Sequence, residues 1–69
     1  MFWWFERSGK FLRYEARASG NGFEFCVIDP EGAETVERFA DSRDLARRQA
    51  EFEHIVKTDG WSGPHGWNL

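Results

Sequence analysis

The sequence predicts a small α+β fold: a four-stranded antiparallel β-meander followed by one C-terminal α-helix packed on one sheet face (ββββα). Three observations lead there. Short aromatic-rich stretches alternate with turn residues through residues 2–39. The pairings those turns impose gather apolar side chains on one face and match opposite charges on the other. A single apolar stripe of helical period then runs from Leu45 to Val56.

The first two strands, Phe2 to Arg7 and Lys10 to Ala18, meet at Ser8 and Gly9, a two-residue connection suited to a primed hairpin turn. A loop of that length sets Arg7 opposite Lys10, Phe5 opposite Leu12 and Trp3 opposite Tyr14. The next turn, at Gly20 and Asn21, sets Ala18 opposite Phe23 and Ala16 opposite Phe25, and it brings Arg17 against Glu24 on the other face. Two kinds of match in one register support each other.

Phe23 to Asp29 forms the third strand, and Asp29, Pro30, Glu31 and Gly32 suit a type I turn closed by a glycine bulge. The fourth strand, Glu34 to Phe39, carries one apolar residue in each parity, Val36 and Phe39. Its facing stays open, because a one-residue change in the turn exchanges the two.

Asp41 stands where an N-cap belongs, and Asp44 three residues on is placed to complete a capping box. The stripe then runs through Leu45, Phe52, Ile55 and Val56. Gly60 suits a left-handed C-cap, with Trp61 folding back on Val56. Asp44 with Arg48 and Glu53 with Lys57 have the spacing of stabilising i,i+4 pairs. Residues 1–61 therefore read as one domain and residues 62–69 as a Gly, Pro and Trp tail.

A chain of 69 residues has room for one small core. Nine Lys and Arg against twelve Asp and Glu leave a net charge of −3, which removes the electrostatic ground for non-specific duplex binding or attachment to an anionic membrane. One cysteine, Cys26, excludes an internal disulfide and every four-cysteine zinc framework. No apolar run approaches the ~18 residues of a membrane span, and the opening residues 1–5 lack the basic region and cleavage site of a signal peptide. The expectation is a cytoplasmic protein with no membrane partner.

Chemistry-bearing residues are sparse. His54 falls on a flank of the helical stripe, His65 has no carboxylate within four residues, and Cys26 sits on an interior strand where a free thiol packs as a small hydrophobe. Asp41 and Asp44 are accounted for by capping, and Glu51 and Glu53 point to different helix faces. Arg43, Arg47 and Arg48 form a basic cluster on the helix, with Asp44 and Glu51 close enough to neutralise much of it. No spacing matches a zinc site, a calcium loop, a phosphate-binding loop or a nucleophile elbow. The expectation is no enzyme, no cofactor and no metal.

One helix can cover only one face of a sheet, the one carrying Trp3, Phe5, Leu12, Tyr14, Phe23, Phe25 and Val27. The other face presents Phe2, Trp4, Phe11, Cys26 and Ile28 mixed with Arg13, Glu15, Arg17 and Glu24. That apolar set is the most informative feature of the sequence, since soluble monomers rarely leave such a patch bare. The tail can close it with Trp67 and Leu69. A second copy or another protein can cover it, or pair with the first strand as a sheet edge. Single-stranded nucleic acid can stack on it. The sequence favours a protein-interaction or self-association surface formed by Phe2, Trp4, Phe11, Arg13, Cys26 and Ile28, a homodimer or another protein being the partner; a single-stranded nucleic-acid platform is the alternative.

Overall fold

Ser8 and Gly9 both take positive φ, 52° and 77°, and close the first hairpin between β1 (Phe2–Arg7) and β2 (Lys10–Ser19). The computed structural model describes residues 2–67. The pairs follow the expected register, with Arg7 opposite Lys10, Phe5 opposite Leu12 and Trp3 opposite Tyr14. β3 (Gly22–Ile28) returns with Ala18 opposite Phe23, Ala16 opposite Phe25 and Arg17 opposite Glu24. The next turn is held by its first residue: the Asp29 carboxylate accepts from the Glu31 and Ala33 amides at 3.0 and 2.9 Å, and the Gly32 amide donates to the Asp29 carbonyl at 2.9 Å.

β4 (Glu34–Phe39) resolves the parity left open by its sequence. Phe39 lies opposite Phe23 and joins the core, whereas Val36 lies opposite Cys26 and faces away from the helix. α1 (Ser42–Thr58) starts where Asp41 accepts from the Arg43 amide at 2.8 Å. The Arg43 guanidinium also bonds Asp41, at 2.9 Å, and holds its carboxyl below the usual aspartate range. Asp44 turns to Arg47 at 3.7 Å. The helix ends in a Schellman motif, the Trp61 amide donating to the Val56 carbonyl at 3.3 Å and the Gly60 amide to that of Lys57 at 3.0 Å.

The predicted four-stranded sheet is corrected at its last element. Residues after the helix form β5 (Ser62–Trp67), which pairs antiparallel with β1, so the sheet has five strands in the order β4-β3-β2-β1-β5. β1 is consequently an interior strand, and the edge pairing expected of it is taken up within the chain. The ladder shifts between Trp4 and Glu6, where β5 passes very close to β1. At Gly63, with φ of 136°, a Cβ would stand 3.0 Å from both Phe5 Cδ1 and the Trp4 carbonyl oxygen, so only glycine lets the strand settle there. Leu69 and the Trp67 side chain, which the sequence offers as a lid, lie outside the described residues.

The helix covers the expected face. Phe5, Tyr14 and Phe25 are fully buried against Phe52 and Val56, with Trp3, Leu12, Val27, Phe39, Leu45 and Trp61 packed around them. Tyr14 is central, its ring 5.2 Å from that of Phe52, 5.6 Å from that of Phe25 and 5.8 Å from that of Phe5. Its hydroxyl donates to the Glu53 carboxylate, and burial, reinforced by that bond, raises the phenol well above its usual pKa. Ile55, expected in the stripe, is 55% exposed, because a cylinder touches a sheet along a narrow line and Leu45, Phe52 and Val56 occupy it. The expected i,i+4 pairs are displaced by tertiary ones: Arg48 reaches Glu37 on β4 at 3.0 Å, and Glu53 serves Tyr14. Among the described residues no helix is long and apolar enough to cross a membrane.

Candidate functional site

The helix-free face divides along its strands into two regions of different chemistry. At one end Glu24, only 6% exposed, accepts from Arg17 on β2 and pairs with Arg38 on β4, both at 2.9 Å, while Arg17 also lies 3.6 Å from Glu15. The hydrogen bond to Glu24 stabilises the charged form of Arg17. Two guanidinium groups thus flank one buried carboxylate and meet its charge.

The other end is aromatic. Phe2 and Trp4 alternate on β1 with ring centroids 6.4 Å apart, and His65, opposite Trp4 on β5, brings its ring within 5.4 Å of the indole. Arg13 stands between Trp4 and Ile28 in the cross-strand row, and Phe11, opposite Glu6, is 50% exposed. β2 overhangs β3 here: Arg13 pairs with Ile28, but Lys10, Phe11 and Leu12 continue past the end of β3, where Pro30 has no amide to donate. The space left between this overhang and the 29–32 turn is an open groove of ≈ 630 Å³, lined by Phe2, Trp4, Lys10, Phe11, Arg13 and the turn.

Four of the six residues named from the sequence, Phe2, Trp4, Phe11 and Arg13, therefore meet in this groove. The other two do not line it. Ile28 is half-buried beside Arg13, and Cys26, 5% exposed, is covered between Glu15 and Val36, where burial pushes its thiol pKa up. Lys10 and the 29–32 turn complete the lining, and His65 borders it beside Trp4. The overhang follows from the turn positions, since Ala18 opposite Phe23 implies Phe11 opposite Pro30; His65 joins only through β5.

The groove's electrostatics differ from those of the Glu24 end. Among the described residues neither Arg13 nor Lys10 forms an ion pair; of the two carboxylates that also line the groove, that of Asp29 is engaged by its own turn, and that of Glu31 is exposed and likewise forms no ion pair. Chemically the site offers a ring surface for apolar contact beside two cations with free donors. Ser62 Oγ and His65 Nε2 are 3.5 Å apart and exposed, and the His54 carbonyl accepts from Thr58 Oγ1. Among the described residues no group of three His, Cys, Asp or Glu side chains could hold a metal ion. Comparison of the chain with protein-family models, with curated proteins and with solved structures finds no match, so the groove is read from its own residues.

Proposed function

We propose that this protein is a small non-enzymatic protein-interaction domain of the cytoplasm that holds a segment of another protein in the groove between the β1–β2 hairpin and the 29–32 turn. The observation that carries the reading is the pairing of Trp4, Phe2 and Phe11 with two cations, Arg13 and Lys10, that have no ion pair among the described residues. Aromatic rings with arginine are the composition of interface centres, and the free donors of Arg13 beside them offer a carboxylate a partner, while Asp29 and Glu31 across the groove keep the acidic residue to the Arg13 side. The fitting segment is extended, with an apolar side chain for the rings and an acidic residue within reach of Arg13.

A single-stranded nucleic-acid platform draws on the same rings and cations. Two further arginines of the face, Arg17 and Arg38, are already engaged by Glu24, and the net charge of −3 opposes a polyanion, which places this reading second.

Selection of a displayed peptide library on the immobilised protein tests the proposal. Peptides combining acidic and apolar residues are expected to emerge, to bind the wild type, and to lose at least tenfold in affinity against Arg13→Glu or Phe11→Ala. Selection that yields nothing, or peptides indifferent to both substitutions, overturns it. Quenching of tryptophan fluorescence by a single-stranded oligonucleotide, weakened by added salt, would overturn it in favour of the second reading.

A further inference from the structure

With β1 enclosed by β5, the sheet ends at β4 on one side and β5 on the other. The two edges differ. β5 carries Pro64, which has no amide to offer, whereas β4 has the sequence Glu34, Thr35, Val36, Glu37, Arg38, Phe39, with no proline or glycine. Among the described residues no strand pairs with its outer side.

The direction of its backbone groups follows from the preceding turn. The Asp29 amide donates to the Ala33 carbonyl at 3.0 Å, making that the last hydrogen-bonded pair of the hairpin. Antiparallel ladders alternate bonded and non-bonded pairs, so Thr35 and Glu37 turn their amides and carbonyls toward β3. Glu34, Val36 and Arg38 turn theirs outward. The side chains of these same three residues share the helix-free face, opposite Ile28, Cys26 and Glu24 respectively.

We infer that β4 pairs with β4 of a second copy of this chain, antiparallel about a two-fold axis through Val36, to give one continuous ten-stranded sheet. The sequence complements itself in that register. Val36 meets Val36 of the second copy, and Glu34 meets Arg38 twice, once on each side of the axis. Charge on an edge strand ordinarily discourages pairing, but an acid and a base set two residues either side of the centre attract when the strands run antiparallel. Glu34 is exposed without an ion pair among the described residues, and the Arg38 side chain, though bonded to Glu24, remains 77% exposed with donors to spare. Val36, 42% exposed between Glu34 and Arg38 on the helix-free face, gains cover. A shift of one residue would set Val36 against Glu37 and send the paired side chains to opposite faces, so the register is specific. The helix leaves the seam clear, because it begins just after β4 and runs toward β1, where Asp59 meets Arg7 at 3.1 Å. Both grooves then open on the same side of the joined sheet.

Sedimentation velocity across micromolar to millimolar concentration, with amide exchange read residue by residue, tests this inference. The wild type is expected to approach twice its 8.1 kDa as concentration rises, with exchange at Val36 and Arg38 slowing in parallel. Val36→Pro removes only an outward amide and should give a monomer at every concentration while keeping the wild-type tryptophan emission. Glu34→Arg opposes like charges twice and should weaken association by roughly tenfold or more. A wild type that stays at 8.1 kDa overturns the inference, as does a dimer that survives both substitutions or one that dissociates instead with Phe11→Ala.

Discussion

The two faces of this sheet both carry aromatic side chains and end in different states. On the covered face Trp3, Phe5, Tyr14 and Phe25 meet Phe52 and Val56 of the helix, and the rings pack at centroid distances between 5.2 and 6.1 Å. On the open face Phe2, Trp4 and Phe11 lie at one end, the charged group around Glu24 occupies the other, and Phe11 stays half exposed. The difference teaches that aromatic residues on a strand do not by themselves make a core. A second layer does: an aromatic side chain becomes core when another element supplies atoms on its far side, and otherwise remains available surface.

Three substitutions, the first set against Phe11→Ala on the open face, sharpen or break that contrast, in decreasing order of effect. Phe52→Ala removes the ring that touches Phe5, Tyr14 and Phe25, at an expected cost of about 3–5 kcal/mol. A single core of this size rarely supplies more than about 3–5 kcal/mol in total, so the variant should be largely unfolded in a urea titration. Phe11→Ala should change stability by less than about 1 kcal/mol. Equal losses for the two would make the open face a second core and remove the basis of the proposed groove.

Tyr14→Phe comes next. It leaves Glu53 without the buried hydroxyl and should cost about 1–2 kcal/mol. The pH dependence has a definite sign. The folded-state pKa of Tyr14 lies above the ordinary 10.0, so the unfolded chain gives up that proton first. The tyrosine's contribution is therefore complete below pH 10 and is lost as pH rises beyond it. Stability of the wild type should fall more steeply than that of the phenylalanine variant in alkaline urea titrations, and parallel curves would contradict the burial assigned to this phenol.

Glu24→Gln is the mildest of the three. A buried carboxylate that loses its charge would be costly if its partners were buried too, but Arg17 and Arg38 are exposed and can turn to water. The expected loss is about 1 kcal/mol, read from the urea midpoint. A loss as large as that of Phe52→Ala would show that the ion cluster, rather than the helix, organises the sheet.

The legibility of the sequence varied along the chain for identifiable reasons. The registers of β1, β2 and β3 were readable because two-residue turns leave no freedom in which residues oppose, and the apolar and charged matches agree with them. The groove was half readable: its rings and Arg13 were, whereas the role of the 29–32 turn needed the three-residue overhang of β2 to be followed past Ile28. β5 was hidden, since Gly63, Pro64 and Gly66 all disfavour strands, and local preference there argues for a loop. It forms because β1 offers an open ladder and Gly63 has no side chain to hold the backbones apart. The ion pairs of the helix surface are not legible from spacing, as Arg48 and Glu53 take partners from the sheet that no helical period reveals.

What the sequence determined by itself is therefore local and periodic: the turns, the opposing residues of three strands, the caps of the helix and the face it covers. These depend on interactions within a few residues or on alternation along one element, both written directly in the order of side chains. The tertiary structure alone decided the facing of Val36 and Phe39, the fifth strand, and the choice of Glu37 and Tyr14 over helical neighbours. Each of those outcomes depends on atoms supplied by a distant segment, and their energies exist only once the chain has brought the two together.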